Sequence, residues 1–268
     1  MDIVVEFDRD PSAGNRLTDE LYSGLPVAGP DAVGAPPPGL LGTAVARSDG
    51  ALLGWVTVYC PGSEPDVAVA RRLLTSPERE RIVAGHVTEP DGTGDEEAVL
   101  ARLFRRAAAE ARAAGFRALQ WDDTESELDA RVAAELEASV HQEIGRKWGI
   151  SALERWEPRV ALPPVRTRRP VAGPGWQGLE LLTDGDGAAR IAAVVAGEEM
   201  YVERVGHHGV DALELGALVA EFIRQVRRVH PSVLSFQVRE QADEVLASAL
   251  RAAGLRVSHR WWQYRLAL

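Results

Sequence analysis

One cysteine, two methionines and few aromatic residues stand in a chain of 268 residues. With Cys60 alone no intrachain disulfide can form, and a reduced, cytoplasmic setting is expected. No apolar run approaches the length of a membrane span, so no membrane partner is expected. Basic residues are short as well: 30 Lys and Arg stand against 40 Asp and Glu, a net charge of −10. That balance argues against a general nucleic-acid binder, which needs a basic footprint. It is compatible with a cationic or amine substrate. The start, Met1 to Asp8, lacks the basic head and long apolar core of a signal peptide and reads as a strand. His207 and His208 are adjacent, but no cluster of Cys, His and carboxylates with ligand spacing accompanies them, so no metal is expected.

An apolar content of 46% is enough for a core in each half of the chain. Residues 26–39 are rich in Pro and Gly and read as loop. Leu41–Ala46 and Leu52–Tyr59 flank Asp49-Gly50, a pair that tolerates the positive φ of a primed turn, so a hairpin is expected. Glu64 to Pro77 reads as loop with a possible helical turn. Thr124 is placed to cap a helix with Leu128, Val132 and Leu136 inward, followed by strands near Lys147–Leu153 and Trp156–Leu162. Residues 163–176 carry Pro163, Pro164, Pro170 and Pro174 among Arg166, Arg168 and Arg169, a stiff basic linker. The expected division is 1–162, linker 163–176, and 177–268.

One order of elements occurs twice: strand, glycine-bearing loop, long amphipathic helix, strand. The first copy reads as strand Arg81–Val87, loop Glu89–Asp95, helix Glu96–Ala114 and strand Phe116–Trp121. Its helix places Val99, Leu103, Phe104, Ala107, Ala111 and Ala114 on one face. The second reads as strand Met200–Val205, loop Gly206–Gly209, helix Ala212–Val229 and strand Ser232–Val238, with Leu215, Leu218, Val219, Phe222 and Val226 inward. Arg190–Val195 and the Met200 strand flank Gly197-Glu198-Glu199 and read as another hairpin. A helix with Val245, Leu246, Ala249, Leu250 and Ala253 follows, ended by Gly254 as C-cap. Leu255 to Leu268 reads as one or two strands. Such a unit aims the free N–H groups of a helix start at an anionic ligand.

Several segments carry a family likeness. They are Gly50 to Gly54 with Trp55-Val56; His86-Val87 through Gly94, the helix to Ala114 and Gly115-Phe116; and Leu250 to Leu255 with Arg260 to Leu266. In this order the chain resembles the GNAT superfamily of acyl-CoA-dependent N-acetyltransferases. They look like its central hairpin, its CoA-binding motif and its closing helix and strand. The doubling is similar to tandem members such as mycothiol synthase, in which one half can be catalytically silent. The resemblance implies an α/β (α+β) fold of two tandem mixed sheets flanked by helices, the second copy truncated at its N-terminus. It implies acetyl-CoA or another acyl-CoA as co-substrate, a small-molecule amine as acceptor, and it admits a homodimer. A Rossmann-type reading fits less well, because Gly92-Thr93-Gly94 lacks the third glycine.

The resemblance places the cofactor against Val87, Gly92, Thr93 and Gly94 in the first copy. In the second it points to Val205, Gly206, His207, His208, Gly209 and Gly216. Small residues let backbone N–H groups reach a pyrophosphate. Glu89, Asp91, Asp95, Glu96 and Glu97 crowd the first loop. Acids favour a helix start, but at an effective dielectric near 20 one like-charge pair at 4 Å costs about 4 kcal/mol. An acidic helix cap and a cofactor loop are both open there. The family's general acid, a Tyr on the closing helix, aligns with Leu250 in the second half, and the first half has no Tyr near Leu136. Glu203 or His86 as base and Tyr201 or Tyr264 as acid are the substitutes. The alternative to an acyltransferase is a catalytically inactive binding or scaffold protein on the same fold.

Overall fold

The structure, a computed structural model, describes residues 2–22, 38–72, 94–122, 127–169, 178–183 and 189–268. The chain parts into two compact units, residues Met1–Gln142 with Trp262–Leu268, and residues Glu143–Trp261. The expected α/β class holds, with helices packed on mixed parallel and antiparallel pairing, although the strands form one continuous ladder order rather than the two separate sheets expected.

In the N-terminal unit the elements are β1 (Val4–Asp8), α1 (Ala13–Tyr22), β2 (Leu40–Ser48), β3 (Ala51–Tyr59), β4 (Val67–Arg72), α2 (Gly94–Ala113), β5 (Ala118–Asp122) and α3 (Glu127–Glu135). The β2–β3 hairpin turns at Asp49 and Gly50, with φ of 49° and 81°, as the Asp-Gly pair demands. Strands β1 to β4 are antiparallel neighbours, whereas β4 and β5 are parallel because α2 crosses over between them. Val99, Leu103, Phe104, Ala107 and Ala111 of α2 are buried against Ala44, Val56, Val58, Leu119 and Trp121. Ala114, just past the helix, is exposed. On the other face, Leu17 of α1 covers Val45, Leu52 and Trp55.

The C-terminal unit contains most of β6 (Ser139–Ile150), a 3-10 turn (Leu153–Arg155), β7 (Thr167–Arg168), β8 (Gly178–Thr183), β9 (Ala189–Ala196), β10 (Glu199–His207), α4 (Ala212–Val229), β11 (Ser235–Glu240) and α5 (Glu244–Ala252). It also holds β12 (Arg256–Ala267) as far as Trp261. Strands β10 and β11 are parallel, joined by α4. Leu215, Leu218, Val219, Phe222 and Val226 of α4, together with Leu246, Ala249 and Leu250 of α5, pack on Trp148, Met200, Phe236 and Val238. Both helices lie on this face, and among the described residues no helix of the unit covers the opposite face.

The N-terminal unit is closed by a strand from the far end of the sequence, and the C-terminal unit by its own first strand. After α3, the Arg146–Ile150 part of β6 pairs antiparallel with Phe236–Glu240 of β11. Gln263–Ala267 of β12 pairs antiparallel with Ala118–Asp122 of β5. The contacts therefore part at residues 142/143 and 261/262, which differs from the expected 1–162 and 177–268. Within the expected linker, Thr167 and Arg168 pair with Thr183 and Leu182, and residues 170–176 lie outside the described part.

Two local expectations change, and two others are not tested. Val67–Arg72, inside the expected loop Glu64–Pro77, is a strand beside β5. The expected strand Arg81–Val87 and the cap Thr124 lie outside the described residues. Trp156–Leu162 is irregular, with Pro158 and Pro163 at hand to deny ladder donors. This segment is anchored by Trp156 Nε1, which donates to the Ala253 carbonyl at 2.7 Å. Gly254, at φ 91°, passes so close beneath that a Cβ would stand 2.5 Å from the Glu157 carbonyl oxygen.

The two closing pairings make a definite prediction. Residues 1–169 and 178–268 made as separate chains each lack a closing strand and should give no cooperative thermal transition. Mixed or co-expressed, they should regain the melting transition of the intact protein, followed by circular dichroism.

Candidate functional site

The two parallel strand pairs share one property. In the N-terminal unit β4 pairs with β5 over Val67–Val69 and Ala118–Gln120, and β4 then continues to Arg72 paired only with β3. In the C-terminal unit β10 pairs with β11 over Glu199–Val202 and Ser235–Val238. A bulge at Glu203 follows, and Arg204–His207 pair with β9 alone. A bulge strengthens local twist, so it turns β10 away from β11. Each opening leaves backbone groups of one strand unpaired among the described residues, an edge suited to an extended, amide-bearing chain.

The helix start beyond the C-terminal opening is already filled. Asp211 is the N-cap of α4, and its Oδ1 accepts from the N–H groups of Leu213 and Glu214 at 2.8 and 2.9 Å. The Leu215 N–H goes to the Asp211 carbonyl at 3.0 Å. Donors that would meet a phosphate thus bind a carboxylate of the chain itself. Glu214 adds a second acid in the first turn. Across the opening, His207 Nε2 at the end of β10 lies 2.7 Å from Oδ2 of Asp243, the N-cap of α5. Burial alone would push the Asp243 carboxyl up, but the Leu246 N–H and His207 outweigh it and hold it below the usual carboxylate range. Behind it, Glu240 is only 1% exposed. Its carboxylate accepts from the Asp243 N–H at 2.5 Å and lies 3.7 Å from Arg146. Side chains therefore cross the mouth of this opening, and the residues there do not fit a CoA pyrophosphate.

The other residues singled out in the second copy are dispersed. Val205 packs on the core and Gly206 lies along the Arg190 side chain. His208 is exposed, and Gly209 supplies a turn at φ 71°. Gly216 sits in the second turn of α4, where a Cβ would come 3.2 Å from the Ala249 carbonyl oxygen. Its smallness serves helix–helix approach. Tyr201 is exposed on β10, its hydroxyl donating to Glu199. Glu203 is exposed at the bulge. Tyr264 is buried against Trp121, ring centroids 5.8 Å apart.

In the first copy His86, Val87, Gly92 and Thr93 lie outside the described residues, and Gly94 is the first residue of α2. Glu96 is fully buried in the opening turn, and Glu97 accepts from Arg131 Nε at 3.0 Å. One residue at this opening escaped the sequence reading. Gln120, the last of β5 to pair with β4, is 3% exposed, and its Nε2 has no partner among the described residues. Nothing in an isolated Gln inside a strand announces such a position. Asp211, by contrast, had a visible signal: an Asp followed three residues later by Glu214 before an apolar run is a capping pattern. Among the described residues no group of three or more His, Cys, Asp or Glu is placed to hold a metal ion.

No protein-family model and no curated protein matches the chain. Solved structures do. A tandem GNAT protein from the clavulanic acid biosynthesis pathway, determined without acetyl-CoA, is 17% identical, with 98% of each chain covered and a TM-score of 0.51. A conserved protein from Enterococcus faecalis V583, described as a probable N-acyltransferase, is 10% identical, with 99% of this chain and 72% of that one covered and a TM-score of 0.50. At these identities the likeness is one of fold: this chain has the tandem GNAT fold.

Two measurements check the closed helix start. Asp211→Ala should lower stability by about 1 kcal/mol, read by denaturant titration, because two helix donors lose their acceptor. The depressed Asp243 carboxyl contributes stability that is full above its unfolded pKa, near 4, and lost as pH falls through its lower folded value. Asp243→Asn should therefore lose less stability than the native protein between pH 5 and pH 2.

Proposed function

We propose that this protein is an acyl-CoA-dependent N-acyltransferase that acts on a small-molecule amine, with the N-terminal unit as the working half. The observation that carries the reading is the opening between β4 and β5 with Gln120 at its root. A buried amide N–H group left without an acceptor costs about 1–3 kcal/mol, and a carbonyl of an extended arm would relieve it. The free edge of β4 beyond Val69 offers backbone donors and acceptors to the same arm. The apolar cluster of Leu17, Val45, Leu52 and Trp55 keeps water from one face of this sheet. Acetyl-CoA or another acyl-CoA, when bound, supplies the activated acyl group. His86 is the candidate proton acceptor that belongs to this unit; Glu203 and Tyr201 belong to the other. A net charge of −10 favours a cationic amine over an anionic acceptor, and the single Cys60 suits a cytoplasmic setting.

A second reading, a non-catalytic binding protein, draws on the C-terminal unit, where Asp211 and the His207–Asp243 pair stand in the cofactor's way. Release of free thiol from acetyl-CoA with an amine library separates the two.

Calorimetry of the intact chain with acetyl-CoA tests the assignment to a unit. One equivalent should bind. Gln120→Leu should weaken binding at least tenfold while keeping or raising the melting temperature, since it removes an unsatisfied buried donor. Asp211→Ala should leave the affinity unchanged. Absence of heat at millimolar ligand, or sensitivity to Asp211 rather than Gln120, would remove the proposal.

A further inference from the structure

The uncovered face of the C-terminal sheet carries a cavity of about 540 Å³ at the beginning of β10 and β11. Its floor follows from strand alternation. Met200, Phe236 and Val238 face the helices. Glu199, Ser235 and Gln237 therefore project the other way, with Glu199 opposite Ser235 and Tyr201 opposite Gln237 on the parallel pair. On the neighbouring strand Gly149 stands opposite Gln237 and contributes no side chain, so the floor is recessed there. Ile150, Trp156 and Val257, which pack with the helix-side core, border the cavity where the strands end. Glu157, Arg155 and Arg256 line the exposed rim.

The polar atoms of this floor are predominantly acceptors. The Glu199 carboxylate accepts from the Tyr201 hydroxyl and, at 3.4 Å, from Gln237 Nε2. That contact fixes the Gln237 amide, because the flipped group would set its oxygen against a carboxylate. Gln237 Oε1 is consequently directed away from Glu199, and it has no partner among the described residues. Ser235 Oγ is likewise without one. An anion here would meet Glu199. A neutral hydroxyl brings a single proton to several acceptors. A primary ammonium brings three N–H donors and one positive charge.

We propose that this cavity binds a small organic cation bearing a primary ammonium group, held by Glu199, Gln237 Oε1 and Ser235 Oγ, with its carbon chain directed to the strand ends that Ile150, Trp156 and Val257 border. The site is distinct from the strand openings: it lies at Glu199 and Ser235, whereas β10 and β11 separate beyond Val202 and Val238. It requires no acyl-CoA and stands whether or not the N-terminal unit transfers acyl groups.

Calorimetry of the intact chain without acyl-CoA, using n-hexylammonium as probe with n-hexanol and hexanoate as controls, tests it. The ammonium should give saturable heat and the controls none. Glu199→Gln, which keeps shape and removes charge, should weaken binding at least tenfold. Gly149→Val should abolish it, because the added side chain fills the recess. A Cβ at Gly149 meets only the Phe236 carbonyl oxygen at 3.5 Å and Ser258 Oγ at 3.9 Å, and valine suits a strand, so melting temperature should hold or rise. Equal binding of n-hexanol, undiminished binding by both variants, or no saturable heat at tens of millimolar would overturn the proposal.

Discussion

The antiparallel pairing of β6 with β11, and of the last residues of β12 with β5, is the constraint from which the rest follows. A strand that leaves one unit to complete the other ties the two cores to one chain path. Trp148 shows how deeply: it lies on β6, close in sequence to the N-terminal unit, yet is buried with Phe222 and Phe236 in the C-terminal core. Its indole N–H points to Glu240 at 3.4 Å, so the strand that closes this unit also sets the buried carboxylate behind Asp243. Closure and the state of the second opening are thus parts of one arrangement.

Fold and function separate inside this molecule. Both units place a long helix between parallel strands and both let that pair open. The helix starts have diverged in chemistry. At α4 an aspartate takes the donors that an anion would need, and an acidic first turn would repel one. Overall likeness to tandem GNAT structures cannot report this, because a cap of one residue leaves the backbone path intact.

Elements governed by local rules were legible in the sequence. Asp49-Gly50 gave the hairpin, the apolar face of α4 gave its buried residues, and Gly254 marked the end of α5. Pairing partners were not legible, because a period of two names a strand without naming its neighbour. Val67–Arg72 escaped for a different reason: a short run of Val and Ala beside Asp66 and Pro65 carries little strand signal, and burial beside β5 decides it. Gly216 shows the opposite hazard, a glycine whose motif position suggested ligand and whose neighbours demand close packing. The candidate cavity was beyond sequence reading, since Gly149, Glu199, Ser235 and Gln237 meet only through register.

The bond between Gln263 and Asp122 spans 141 residues of sequence, and the strand that carries Gln263 leaves a ribosome only after the whole second unit. The N-terminal unit therefore cannot finish folding until the second unit has been synthesised, although nearly all of it emerges earlier. Its sheet edge at β5 must wait, uncapped, through translation of the entire second unit. Nascent chains of this protein carry an open pairing surface for that interval, which makes their own late strand, or a chaperone, the guard against misassembly on the polysome.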